Sequence, residues 1–347
     1  MNIDFVSLQK NDRLHIPGDT GGLWRINKFI EFHHKVKAVD PLMLLEYAKR
    51  NNMNNDEIVI LFWMLASTYS EITAIFLFND IKQKIGWDKI TKDIIDEYWV
   101  QNKSNLQFGS ARRYAKSMDW FPILVHDFLE IVKGEPYGWI KKSISNMNSI
   151  EGYQFLYKEL LKMKFMGRFS IELFLMNFKF FYQERLLDIN IEENVTFNWK
   201  KYSNETSGLL NLFYYDEKAD EFDKTGQLSE DTIHFLDNSV NILKDIIQER
   251  YGAIEAEYLV FMPRICTFRN FCKKNRYAGF HHDRQLGFIK SYEVSYPNYS
   301  IWKEIYDIRK SIYPNELLGE LHGWTGIRPE RKKMFLEKGL TGAEIVK

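Results

Sequence analysis

The chain has 347 residues, of which 47 are basic and 47 acidic, so its formal net charge is zero. That balance excludes a globally basic nucleic-acid-binding surface but leaves room for a local one. Hydrophobic residues make up 45% and charged residues 27%, which excludes disordered, collagen-like and disulfide-scaffold classes.

Aromatics reach 16%, with 26 Phe, 19 Tyr and 9 Trp. They promise a large core with rings to spare for stacking on flat ligands. With only 19 Gly and 8 Pro, turn formers are scarce, and long helices are expected rather than many short strands. The two cysteines, Cys266 and Cys272, suit a reduced intracellular chain and cannot hold zinc alone.

In chain order, residues 1–22 read as an irregular lead-in without a secretory pattern. Leu23 to Lys35 has helical periodicity, and Asp40-Pro41 reads as a capped helix start. Ile58 to Phe78 imitates a membrane span, but Glu71 and a Ser/Thr/Tyr cluster in its middle predict one buried core helix. Helices are expected over Thr91 to Asn102, Ser110 to Val132, Ser149 to Met163 and Phe169 to Arg185. Residues 188–228 are polar and acidic, a loop-rich segment holding short helices such as Ser207 to Tyr214. Ser229 opens an amphipathic helix to Arg250, and Ile254 to Lys274 follows with Pro263 as a start or kink. Residues 275–300 read as loop-rich, and Ser300 to Ser311 as a helix. The fold class is therefore mainly α and multi-helical, with helical regions at 23–187 and 229–347 read as one cooperative unit around the loop-rich middle.

No P-loop, GxGxxG, HExxH or GxSxG motif occurs. The densest chemistry is RNFCKKNRYAGFHHDRQ, Arg269 to Gln285. Its Arg276, Arg284 and Lys274 suit phosphate, while Asp283 or His282 suits proton transfer. The same run also reads as a solvated turn between helices. Gly279 among bulky neighbours suggests a special backbone conformation. His281 and His282 are adjacent, so both cannot face one ligand, and no metal site is expected. Thr206-Ser207-Gly208 resembles a helix N-terminus, either an anion site or a plain cap. Arg112-Arg113 reads as a phosphate contact or an exposed face, and Arg168 as an anion ligand beside the Gly167 hinge. Tyr69 and Glu71 lie in the polar patch of the apolar helix, either satisfying neighbours or lining a pocket.

Five segments together resemble one family: DEIVILFWMLASTYSEITA (56–74), GRFS (167–170), WKKYSNETSGLL (199–210), RICTFRNFCKKNRYAGFHHDRQ (264–285) and ELLGELHGWTGIRPERK (316–332). Their order and character are similar to the α-helical amino acid:DNA transferases of bacteriophages, grouped with the α-glutamyl/putrescinyl-thymine pyrophosphorylases. The resemblance spans roughly 25–335. Its most specific part is the Cys…Arg-Tyr-x-Gly-aromatic-x-x-Asp-Arg pattern ending at Asp283-Arg284.

That resemblance implies an enzyme acting on double-stranded DNA that carries (pyro)phosphorylated 5-hydroxymethyluracil. An amino acid or polyamine amine displaces the phosphate group at the exocyclic methylene. It implies a relation to helix-hairpin-helix DNA glycosylases, no cofactor, no membrane, and the cytoplasm of an infected bacterial host. Arg276 and Arg284, then Arg112, Arg113 and Arg168, would hold the leaving group. Asp283 would accept a proton or anchor the amine. Tyr277 and Tyr69 would stack on the extruded base, and Thr206 and Ser207 would take a carboxylate or phosphate. A base-excising glycosylase and a non-catalytic helical DNA-binding protein are the competing readings.

Overall fold

A computed structural model describes residues 23–37, 41–109, 113–195, 197–213, 216–272, 280–313 and Leu318. Every regular element among the described residues is helical. The helices are α1 (Leu23–Val36), α2 (Leu42–Arg50), α3 (Asn55–Thr68), α4 (Glu71–Lys84), α5 (Lys92–Asn102), α6 (Arg113–Ser117), α7 (Trp120–Val132) and α8 (Pro136–Ser143). They continue with α9 (Ser149–Leu161), α10 (Arg168–Gln183), α11 (Ser203–Leu212), α12 (Asp216–Thr225), α13 (Glu230–Tyr251), α14 (Tyr258–Cys272), α15 (Phe280–Ser295) and α16 (Ile301–Ile312). Among the described residues no helix is long and apolar enough to cross a membrane.

Local chemistry sets many of the boundaries. Asn54 and Glu57 form a reciprocal capping box at the start of α3, as Asn148 and Glu151 do at α9. Thr91 and Ser229 cap α5 and α13 through their hydroxyls. Pro136 occupies the first position of α8, where its missing N–H costs no helical hydrogen bond.

Two hydrophobic cores form. The first runs from Met43 to Ile191 and adds Val260 and C-terminal residues from Ile289 to Tyr313. Trp63 of α3 is wholly buried, stacks on Phe128 at 4.1 Å and donates its indole N–H to the Leu124 carbonyl at 3.0 Å. Phe76 stacks against Tyr292 and Trp302, which ties α15 and α16 to α4. The second core joins α1 to Trp199–Phe268. α1 belongs with the second core, α15 and α16 with the first.

Three expectations are corrected. The predicted helix over 58–78 is two helices, because Tyr69 turns left-handed at φ 54° and Ser70 caps α4. Gly109 packs against that turn, donating its N–H to the Thr68 carbonyl at 2.8 Å. A side chain at 109 would sit 2.4 Å from the Tyr69 carbonyl oxygen, so only glycine permits the approach. The predicted helix over 110–132 is likewise divided, with Asp119 left-handed at φ 55° between α6 and α7. Residues 280–295 are helix rather than loop, held by burial of Leu286, Ile289 and Tyr292.

Candidate functional site

The first turn of α15 places His282 and Asp283 in the interior, at 1% and 0% exposure. Burial and the nearby Arg309 charge push the His282 imidazole down to about 3. At neutral pH its imidazole is therefore uncharged. Its ring meets the Tyr313 ring edge-on at 4.3 Å. His281 turns away toward the Thr267 hydroxyl, so the adjacent histidines do diverge.

Arg309 of α16 reaches into this turn from the opposite side. Its guanidinium donates to the His282 carbonyl at 2.9 Å and is itself buried. Burial lowers its pKa, against which the charge of Asp283 acts.

Gln285, half a turn further on, extends the network. Its amide donates to Glu71 at 2.8 Å and to the Tyr313 hydroxyl at 3.1 Å. Glu71 also accepts the backbone N–H of Met43 at 3.1 Å, at the start of α2. Burial raises the Glu71 carboxyl to about 8, despite these donors. A carboxyl that titrates near neutrality is suited to proton transfer. Of this group, the sequence singled out Glu71 through its place in an apolar run. It contained no signal for Gln285, Arg309 or Tyr313.

A second buried polar node lies at the C-terminal end of α1. Arg264 of α14 donates to the His33 carbonyl at 2.6 Å and to Glu255 at 2.9 Å. Burial raises Glu255 to about 7 and lowers Arg264 to about 9. His282 approaches the backbone of Val36 on that same helix end, so the last turn of α1 lies between the two nodes.

The remaining anticipated residues divide. Tyr69 shares a hydrogen bond with Ser170 at 2.7 Å and packs edge-on against Phe169. The 69–71 turn therefore links the GRFS joint to the Glu71–Gln285 network. Arg168 pairs with Glu172 at 3.1 Å, and its guanidinium lies 3.4 Å over the Tyr202 ring. Arg284 packs over Phe288 and is half-buried.

Thr206 and Ser207 are not at a helix N-terminus. α11 begins at Ser203, and the Thr206 N–H already bonds the Tyr202 carbonyl at 2.8 Å. Both side chains are buried. Thr206 donates to the Trp199 carbonyl, and Ser207 to the Ser203 carbonyl and Asp223. Their hydroxyls thus satisfy the second core, and the free amides that an anion needs are absent there. Lys274, Arg276, Tyr277, Gly279, Arg112 and the side chain of Arg113 lie outside the described residues, as does nearly all of the 316–332 segment. Among the described residues no three His, Cys, Asp or Glu side chains group as metal ligands. No protein-family model, curated protein or solved structure matches the chain.

Proposed function

We propose that the chain is a phage DNA-hypermodification transferase of the kind its segments resemble. In the proposed reaction an amino acid or polyamine amine attacks the exocyclic methylene of (pyro)phosphorylated 5-hydroxymethyluracil. A C–N bond forms as the C–O bond breaks, and (pyro)phosphate leaves with the bonding pair. The ammonium donor must lose one proton before attack and the new secondary ammonium a second one.

The observation that supports this reading is the burial of Asp283 in the first turn of α15, close in sequence to the cationic residues of 269–276. A buried carboxylate seven residues after Arg276 in the sequence suits a reaction that gathers an ammonium and a phosphate at one carbon. Asp283 is assigned to the incoming amine, as its anchor or as the group that takes its proton. Arg276, Arg284 and Lys274 are assigned to the leaving group, with Arg112, Arg113 and Arg168 as further cations. Tyr277 and Tyr69 are assigned to the extruded base. The all-helical architecture is compatible with the implied relation to helix-hairpin-helix glycosylases. The cytoplasm of an infected bacterium belongs to the same proposal.

The test is nucleoside mass spectrometry. Purified protein is incubated with DNA carrying phosphorylated or pyrophosphorylated 5-hydroxymethyluracil and a pool of amino acids and polyamines. A heavier nucleoside with released (pyro)phosphate is expected, lost in Asp283→Asn while DNA binding persists. Unchanged nucleosides across the pool would refute the transferase; free base with abasic sites would identify a glycosylase; DNA binding indifferent to Asp283→Asn, with no product, would identify a scaffold.

A further inference from the structure

Away from that site, a surface cavity of about 590 Å³ opens where α10 ends. Its volume falls in the ordinary range of small-molecule sites, roughly 300–1,000 Å³. Its walls include Asn55, Tyr137, Tyr182, Gln183, Arg185 and Asp188.

The polar groups there are unequally committed. Asp188 already accepts from the Tyr137 hydroxyl and from Lys141 at 2.7 Å. Glu184, next to Arg185 in the chain, pairs with Lys49 at 2.6 Å. The Arg185 guanidinium, by contrast, is exposed and has no ion-pair partner among the described residues. Tyr182 keeps 41% of its surface exposed.

A cation with no carboxylate to answer it favours an anion, and the guanidinium fork matches phosphate. An exposed phenol offers a face for a flat ring. The side-chain amides of Asn55 and Gln183 each carry one acceptor and an N–H₂ donor, the pattern of a nucleobase edge.

We propose that this cavity binds a nucleoside monophosphate, with its phosphate on Arg185 and its base against Tyr182. The same chemistry is offered by a free nucleotide and by one nucleotide of a single strand. This site stands independently of the transferase reading.

Calorimetric titration of the full chain with thymidine monophosphate, an eight-residue oligothymidylate and orthophosphate tests it. One saturable site for the mononucleotide is expected, with orthophosphate at least ~10-fold weaker because it lacks the stacked ring. Arg185→Gln should weaken the mononucleotide ~10-fold or more, and Tyr182→Ala at least ~5-fold. Both side chains are exposed, so the variants keep the fold, checked by circular dichroism. Tighter binding of the oligomer than of the mononucleotide, weakened alike in both variants, would mark a strand site; equal binding would mark a free nucleotide. No saturable mononucleotide binding at millimolar concentration, or affinities unchanged in both variants, would overturn the proposal.

Discussion

Glu71 offers the sharpest test of the buried network, through Glu71→Gln. The carboxyl bridges α2 and α15, accepting from Met43 N–H and Gln285. Burial raises it from 4.5 to about 8 in the folded chain. A raised folded-state pKa gives stability that is complete below the unfolded value and lost as pH rises through the folded one. Between pH 6 and pH 8 the folded chain holds a proton that the unfolded chain has released. With the folded carboxyl half ionised by pH 8, this group alone removes about 2.3 kcal/mol of stability over those two units, at ~1.4 kcal/mol per unit. That figure is a ceiling, because the side chain keeps some surface. Glutamine cannot ionise, so the variant lacks this slope. It also turns an N–H₂ toward donors, costing about 1–3 kcal/mol at every pH. The variant should be less stable than wild type at pH 6 and approach it by pH 8. Urea unfolding followed by circular dichroism from pH 5.5 to 9 measures the difference. Glu193 and Glu255, also raised by burial, titrate in both proteins and cancel in that difference. Parallel stability curves for the two proteins would refute the reasoning.

Gly208→Ala would place a methyl 2.6 Å from the Ile265 side chain and 3.3 Å from its carbonyl oxygen; this overpacking of α11 on α14 should cost about 1–3 kcal/mol, read as a lowered thermal midpoint. Arg264→Met removes the buried guanidinium from Glu255, leaving it Lys37 at 3.8 Å, and should cost about 3 kcal/mol, whereas the double variant with Glu255→Met should recover most of the loss; a double variant no more stable than the single would contradict the ion-pair reading. Arg185, left-handed at φ 55°, should yield about 1 kcal/mol of stability on replacement by Gly, seen as a raised unfolding midpoint, while losing the nucleotide affinity assigned to its guanidinium.

The helix ends legible in the sequence were those written within one turn. The Ser229 cap of α13 joins residues three apart, and Thr91 at α5 works the same way. The break at Tyr69 was not legible, because uninterrupted apolar residues on either side carry no turn signal. Its left-handed turn depends on Gly109, forty positions away in the chain and in contact with it. Thr206 and Ser207 show the same limit in the site: their residue types suit a cap, but α11 starts a turn earlier, and burial fixes their partners.

By itself the sequence determined a mainly helical chain, the main helices and several of their caps, since periodicity and i to i+3 hydrogen bonds are local. It also marked the 264–285 block as chemically dense. Only the tertiary structure decided that α1 joins the second core and that α15 is a helix. It alone brought Glu71 to Gln285, 214 residues apart, and Arg264 to His33, 231 apart. The physical reason is that burial and charge compensation are properties of the packed interior. Which carboxyl meets which guanidinium, and how far each is desolvated, depends on helices that periodicity describes one at a time.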